Sequence, residues 1–264
     1  MNVALIGYGK MGKMVEQAAL AQGHSIFAIV DPLINQSEKD LQAGHGKKVY
    51  KTIQEADFNC PDICAIEFTH PDSAVSNITA LAERKIKTIV GTTGWYKELE
   101  QVTKAVEKNS STMLWASNFS IGVSMFNRIA WYAAHLVNNF PEYDVGGFES
   151  HHNKKADSPS GTAKTLAEGV LSRIDRKKKI VWETMNRKSE ADELHFPSLR
   201  MGSIPGTHSL FFDSPVDTIE ITHTARSREG FATGAVRAAQ WLLHKQSGVF
   251  TIDDMMNELF KEKV

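Results

Sequence analysis

The chain has 264 residues, 42% of them apolar and 23% charged, with a formal net charge of -1. That length predicts one large domain or two modest ones, with enough apolar material for a packed core. The near-neutral charge argues against nucleic acid as a partner, and apolar runs broken well before 18 residues argue against a transmembrane helix.

The N-terminus runs straight into a strand, Val3 to Ile6, whose short apolar run suits burial on both faces. It lacks the basic and long apolar regions of a signal peptide, which points to the cytoplasm. The strand ends in Gly7-Tyr8-Gly9-Lys10-Met11-Gly12, a GxGxxG, and a helix follows over Met11 to Gln22 with Met14, Val15, Ala18 and Ala19 on one face. Between strand and helix the pattern acquires a mechanism. Gly7 permits the tight turn, Gly9 lets backbone approach a pyrophosphate, and Gly12 allows close helix–strand packing. The helix N-terminus offers N–H groups and positive dipole to phosphate. The bland reading is a glycine turn with no ligand. Ile26 to Val30 forms a second buried strand that ends at Asp31, 19 residues after Gly12. A carboxylate there accepts from an adenosine ribose 2′-OH and repels a 2′-phosphate. Pro32 and Leu33 add no positive charge, so NADH is expected in preference to NADPH, although Lys10 places a flexible cation in the loop.

Cys60 and Cys64 are the two cysteines of the chain. Their CxxxC spacing predicts no disulfide framework and no metal site, but reduced, half-buried thiols. Strands are predicted at Ile63 to Phe68, Thr88 to Val90 and Met113 to Ala116, and helices at Asp72 to Arg84 and Leu99 to Asn109. Gly91-Thr92-Thr93-Gly94 and Ala116-Ser117-Asn118-Phe119 follow two of these strands. The alternation predicts an α/β Rossmann domain with a doubly wound parallel sheet. Trp95 either shields a nicotinamide or packs in the core.

The pattern changes near residue 120. Val123 to Asn138 reads as a long amphipathic helix. Strand-like segments follow around Asp144 to Glu149, Ile180 to Thr184, His208 to Asp213 and Thr218 to His223, so a second, α+β domain with an open mixed sheet is expected. The basic run Arg176 to Lys179 reads as a solvated helix end. A helix over Gly234 to Lys245, opened by a segment carrying Arg237, ends near Ser247-Gly248, and Thr251-Ile252-Asp253-Asp254 resembles a capping box. The predicted organisation is a dinucleotide-binding domain of residues 1–119 plus 234–264 and a substrate-binding and oligomerisation domain of residues 120–233. Two short hinges would permit closure over ligands.

The stretch Glu149-Ser150-His151-His152-Asn153-Lys154-Lys155-Ala156-Asp157-Ser158-Pro159-Ser160-Gly161-Thr162-Ala163 concentrates two histidines and two lysines within five residues. Such a cluster is unfavourable unless it meets an anion. It leads into a helix over Ala163 to Ser172 that Ser160 or Thr162 can cap, and the exposed N–H groups there form an anion site. Imidazole, ammonium and helix N-terminus together would grip a carboxylate. The bland alternative is a polar loop before a capped helix.

This stretch resembles the E-x-H-H-x-x-K-x-D-x-P-S-G-T-A signature of the dihydrodipicolinate (4-hydroxy-tetrahydrodipicolinate) reductase family at every fixed position. The resemblance extends along the chain: Glu67-Phe68-Thr69-His70-Pro71, Gly91 to Gly94, Ala116 to Val123, Arg200-Met201-Gly202, Gly206-Thr207-His208, Glu220 to His223 and Phe231 to Arg237 are similar to family motifs. The glycine loop is one residue shorter than in members with an extra glycine. The resemblance implies NAD(P)H-dependent reduction of a small cyclic dicarboxylate on the diaminopimelate route to lysine, by a homotetramer built through the second domain's open sheet. It implies His151 as the acid/base residue, Lys155 as proton donor, and His152, Ser160, Gly161 and Thr162 as substrate-binding positions. Gly7, Tyr8, Gly9, Lys10, Met11, Gly12, Asp31, Gly91, Thr92, Thr93, Ala116, Ser117, Asn118 and Phe119 correspond to cofactor contacts. From charge spacing, Lys154 and Lys155 are expected to be the electrostatic neighbours of His151. The competing readings are another small-substrate dehydrogenase such as an aspartate dehydrogenase, a non-enzymatic dinucleotide-sensing regulator, and a catalytically dead relative.

Overall fold

Strand β1 (Asn2–Ile6) is buried from Val3 to Ile6, as a central parallel strand must be. It is followed by α1 (Lys10–Ala21), β2 (Ser25–Val30), β3 (Lys48–Tyr50), β4 (Ile63–Glu67), α2 (Pro71–Glu83), β5 (Lys87–Val90), a 3-10 turn at Tyr96–Glu98, α3 (Leu99–Lys108) and β6 (Thr112–Trp115). The computed structural model describes residues 1–35, 37 and 46–260. Contacts divide the chain into two units, Met1–Ser120 with Glu229–Val264, and Ile121–Arg228. In the first, β1 pairs in parallel with both β2 and β4, and Ile6 lies opposite Val30 on one side and Glu67 on the other. The three strand ends are therefore flush, and Gly7, Asp31 and Phe68 leave the sheet at one edge. This is the topological switch point, where open α/β sheets bind ligands.

The second unit opens with α4 (Ile121–Val137) and continues through β7 (Asp144–His151), α5 (Gly161–Leu171), β8 (Lys179–Val181), β9 (Glu193–His195), β10 (Ser198–Arg200), β11 (Thr207–Asp213) and β12 (Thr218–Thr224). Its mixed sheet has the order β12-β11-β7-β9-β8, with β10 paired to β7. The core is formed by Phe126, Ala130 and Ala134 of α4, Leu166, Ala167 and Val170 of α5, and Leu210 and Phe212 of β11. Gly169 is what lets the helices meet, because a Cβ there would stand 2.0 Å from the Trp131 indole nitrogen. Along β12, most residues from Thr218 to Thr224 are exposed.

The basic run Arg176 to Lys179 is not a solvated helix end. Lys177 is buried; its ammonium pairs with Asp144 at 2.6 Å and donates to the carbonyls of Ala191 and Glu193. The Arg176 guanidinium donates to the carbonyls of Asn138 and Tyr143. Counting charges along the chain does not reveal acceptors contributed by remote elements.

The chain then returns to the first unit through α6 (Glu229–Leu243), β13 (Gly248–Thr251) and α7 (Ile252–Leu259). The parallel sheet takes the order β13-β6-β5-β4-β1-β2-β3 among the described residues. Helix α6 starts five residues before the predicted Gly234, so Arg237 is an exposed mid-helix residue rather than an opening one. Gly234 is buried within the helix, where a Cβ would stand 1.7 Å from the Phe119 carbonyl oxygen. Strand β13, not predicted from sequence, pairs with β6 from Gly248 opposite Thr112. The predicted capping box is present: Thr251 accepts from the Asp254 N–H and the Asp254 carboxylate accepts from the Thr251 N–H. Both cysteines are free thiols; Cys60 is half-buried as expected, but Cys64 is fully buried and burial pushes its thiol up to about 12. No helix among the described residues is long and apolar enough to cross a membrane.

Candidate functional site

In the first unit, Gly7 adopts φ +90°, and a Cβ there would stand 2.2 Å from the Phe68 carbonyl oxygen, so the turn admits no side chain. Gly12 is equally constrained, with a Cβ position 2.2 Å from the Gly7 oxygen. Gly9 differs: it is the N-cap of α1, faces open space, and has no side-chain cap. The first turn of α1 carries no acidic residue, so its amides and positive end remain available to an anion. Beside them lies a cavity of about 500 Å³ whose lining includes Gly7, Gly9, Asp31, Thr69, His70 and Asn77. These features fit the diphosphate and adenosine half of a dinucleotide.

Asp31 sits on this cavity, and its carboxylate also accepts from the N–H of Tyr8 at 2.6 Å and of Leu33 at 2.8 Å. It thereby ties the glycine loop to the end of β2, a task that spacing did not reveal. Tyr8 turns its ring into the core and donates its hydroxyl to Glu16, while Lys10 is exposed and Met11 half-buried. The loops after β5 and β6 lie around Phe68, a residue given no role from sequence. A Cβ on Gly91 would stand 2.1 Å from the Phe68 ring, and Phe119 packs edge-on against it at 6.3 Å. Thr92 is buried and accepts from the Thr69 N–H at 2.7 Å, while Thr93 is exposed. Ala116 is buried, Ser117 exposed, and Asn118 accepts from the Ser120 N–H at 2.8 Å. Trp95 is a core residue, packed against Tyr96 and Trp115 and donating to the Thr92 carbonyl, so it does not shield a ligand.

The second unit gathers the other candidates at the end of β7. Register places Arg200 of β10 opposite His151 and His208 of β11 opposite Glu149. Glu149 is 0% exposed, yet one carboxylate oxygen accepts from the Ser160 N–H (2.9 Å), the Ser198 hydroxyl (2.7 Å) and Arg200 (2.8 Å). The other lies 2.7 Å from His151 Nδ1, a close contact rather than a well-aligned hydrogen bond. Burial pushes the Glu149 carboxyl up, but contacts from His151, Ser160, Arg200 and Ser198 outweigh it and hold the group well below the carboxylate range. His208 lies edge-on to His151 at 5.2 Å and 3.3 Å from the Ser160 hydroxyl. Burial, then the His151 charge, lowers it to about 4. On its far side His151 Nε2 faces Gly206, where a Cβ would approach to 2.8 Å. Glycine there keeps a side chain off Nε2.

The charge facing His151 is therefore the Glu149 carboxylate, not the two lysines expected from spacing. Lys154 is exposed, and Lys155 pairs with Asp157 at 2.8 Å. His152 is half-buried and its N–H donates to the Ile204 carbonyl. Ser160, rather than Thr162, caps α5 by accepting from the Ala163 N–H at 3.1 Å. Gly161 and Thr162 form the first turn, and the space around Gly161 is open. The strand, the loop and the capped helix thus carry an imidazole, an ammonium and helix amides within one stretch of the second unit. Glu149, Arg200 and His208 stood in motifs without a role, and Ser198 was missed. Glu149, His151 and His208 also have ligand atoms within 4.8 Å of one another. A guanidinium 2.8 Å from that carboxylate opposes a second cation.

Two family models cover the chain: "Dihydrodipicolinate reductase, N-terminus" over residues 1–119 and "Dihydrodipicolinate reductase, C-terminus" over residues 122–256. A 4-hydroxy-tetrahydrodipicolinate reductase of Christiangramia forsetii is 37% identical over 262 residues, 99% of this chain and all of the relative. One from Archaeoglobus fulgidus is 35% identical over 265 residues, 97% of this chain and all of the relative. Among solved structures, a dipicolinate-bound dihydrodipicolinate reductase from Paenisporosarcina sp. TG-14 superposes with a TM-score of 0.74 at 21% identity, over 95% of this chain and 97% of that one. That match speaks to the fold.

Proposed function

The chain belongs to the dihydrodipicolinate reductase family, and from that premise we propose that it reduces 4-hydroxy-tetrahydrodipicolinate to tetrahydrodipicolinate in the diaminopimelate route to lysine. The observation that carries the reading is His151, buried beside an ionised carboxylate that also accepts from the cap of α5, with its Nε2 beside Gly206. The 4-hydroxyl of the substrate leaves as water, and a nicotinamide dinucleotide, when bound, would supply hydride to the conjugated imine that results. Gly7, Gly9 and the open amides of α1 are the groups that would hold its diphosphate, and the loops after β4, β5 and β6 its other half. His151 holds a proton on its imidazole and delivers it as charge builds on the ring being reduced, the work of a positioned general acid. Lys155 exchanges its Asp157 partner for a substrate carboxylate, and is the second proton source. His152, Ser160, Gly161 and Thr162 orient the same dicarboxylate, the last two through amides at a helix N-terminus.

Asp31 supports NADH over NADPH, because a carboxylate on the adenosine cavity repels a 2′-phosphate. A homotetramer in the cytoplasm completes the reading; the exposed edge strand β12 is a surface that another copy would cover. The test is cofactor oxidation with substrate freshly made by the preceding synthase from pyruvate and aspartate semialdehyde. Synthase-dependent loss of nicotinamide absorbance, faster with NADH than NADPH, is the expected result. Cofactor binding without any oxidation would overturn the reaction, and a clear NADPH advantage would overturn the role of Asp31.

A further inference from the structure

We propose that Glu149 is a positioning residue that fixes the tautomer of His151, holding the proton on Nδ1 and turning Nε2 toward the substrate. The proposal rests on the reading of His151 as the acid/base group. Its basis is a carboxylate with no exposure that takes three donors from two other elements of the unit. Ser160 supplies a backbone N–H from the cap of α5, Ser198 a hydroxyl and Arg200 a guanidinium from β10, and all three converge on one oxygen. Three donors on one oxygen fix the plane of the carboxylate and leave its second oxygen for the His151 ring, 2.7 Å away. The contact is close without being an aligned hydrogen bond, but an ionised carboxylate oxygen only accepts and repels a ring lone pair at 2.7 Å, which favours hydrogen on the facing nitrogen. The opposite ring nitrogen is the one beside Gly206, on the side free of a side chain.

The other charged groups around the ring agree with this assignment. Behind Glu149 stands Arg200; His208 from β11 lies edge-on to the ring, with its Nε2 at 3.7 Å from the same Glu149 oxygen; His223 from β12 and Lys155 act on His208. His208 therefore competes poorly for the carboxylate, and His151 is its close partner. A merely structural role for Glu149, as counter-ion to Arg200, would need neither the second oxygen nor its direction.

The deciding measurement is nitrogen NMR of the full-length protein with labelled histidine, at a pH where the His151 ring is neutral. The expected wild-type result is a protonated Nδ1 and an unprotonated Nε2; a protonated Nε2 overturns the proposal without any variant. In Glu149→Gln the ring should become a mixture of tautomers, kcat should fall at least about tenfold with KM within about threefold, and the pH midpoint of kcat should move. Added to His151→Gln, Glu149→Gln should cost nothing further, because it acts through that ring. An unchanged tautomer in Glu149→Gln, or a full additional loss in the double variant, overturns the proposal. Failure of the reductase reading would show in the wild type as absent turnover, while the NMR result would still stand by itself.

Discussion

His151 is where sequence and structure meet most directly at the residue scale. It stood out in the sequence as a candidate because two histidines and a lysine precede a helix cap at a spacing that the family shares. What surrounds it was not, because Glu149, Ser198, Arg200 and His208 converge from β7, β10 and β11 through strand register, which no local pattern encodes. Replacing His151 by Gln should lower kcat by about 10²-fold or more, the usual worth of a general acid, with a smaller change in KM. Steady-state kinetics check this, and a near-normal kcat would remove the residue from the mechanism. His208 makes a separate prediction about stability. Its folded value of about 4 lies below the ordinary 6.5, so the unfolded chain binds the proton more readily. Its contribution is thus complete above pH 6.5 and is lost as pH falls toward 4, on the order of 3 kcal/mol in all. Burial shifts His24 and His223 in the same direction, with the N-terminal charge adding to the shift of His24, so other slopes overlap it. Urea midpoints measured between pH 7 and 5 should fall with acid in the wild type and fall less in His208→Gln; parallel profiles would show that His208 does not carry the slope.

Among the elements, the long periodic ones were readable and the short ones were not. Helices α1 to α5 fall within a few residues of their predicted ranges because their apolar faces repeat over three or more turns. Strands β3, β9 and β10 have three residues each, too few for a period to show, whereas β8 overlaps the strand read at Ile180 to Thr184, and β13 begins at a glycine that reads as a stop. Helix α6 was placed late for the same reason, since Gly234 looks like a boundary. It is instead a packing device, and that distinction sets a prediction. In an exposed helix Gly→Ala would stabilise by about 1 kcal/mol. At Gly234 the added Cβ would lie 1.7 Å from the Phe119 backbone oxygen, and backbone cannot rotate aside as a side chain can. The clash should win, leaving Gly234→Ala less stable by roughly 1–3 kcal/mol, the range for overpacking. Chemical denaturation checks the sign, and any gain in stability would mean that α6 shifts freely. The capping box at α7 gives a milder case: Thr251→Ala should cost about 1 kcal/mol by stranding the Asp254 N–H.

For the whole molecule, the division of labour follows from where the chain ends its strands. Unit one collects glycine turns and a free helix start at the switch point of a parallel sheet, and these suit a diphosphate. Unit two collects imidazole, ammonium and a capped helix start at the end of a mixed sheet, and these suit carboxylates. Each set belongs to its own unit, so each ligand is predicted to register separately. Hydrogen exchange followed by mass spectrometry tests this. NADH without substrate should slow exchange at the amides of residues 7–12, 31–33, 68–69 and 91–93. Dipicolinate, the ligand of the Paenisporosarcina structure, should without cofactor slow exchange at residues 152–155 and 160–163. Amides that were open in the free protein gain partners, and ligand binding shifts local opening by RT ln(1 + [L]/Kd), about 2.7 kcal/mol at 100-fold saturation. Protection by dipicolinate confined to the glycine loop would place the dicarboxylate in the wrong unit and undo the assignment of His152, Lys155, Gly161 and Thr162. Protection of both sets by either ligand would show instead that one binding event orders the other unit, so that cofactor and substrate sites are coupled in binding and not merely adjacent in sequence order.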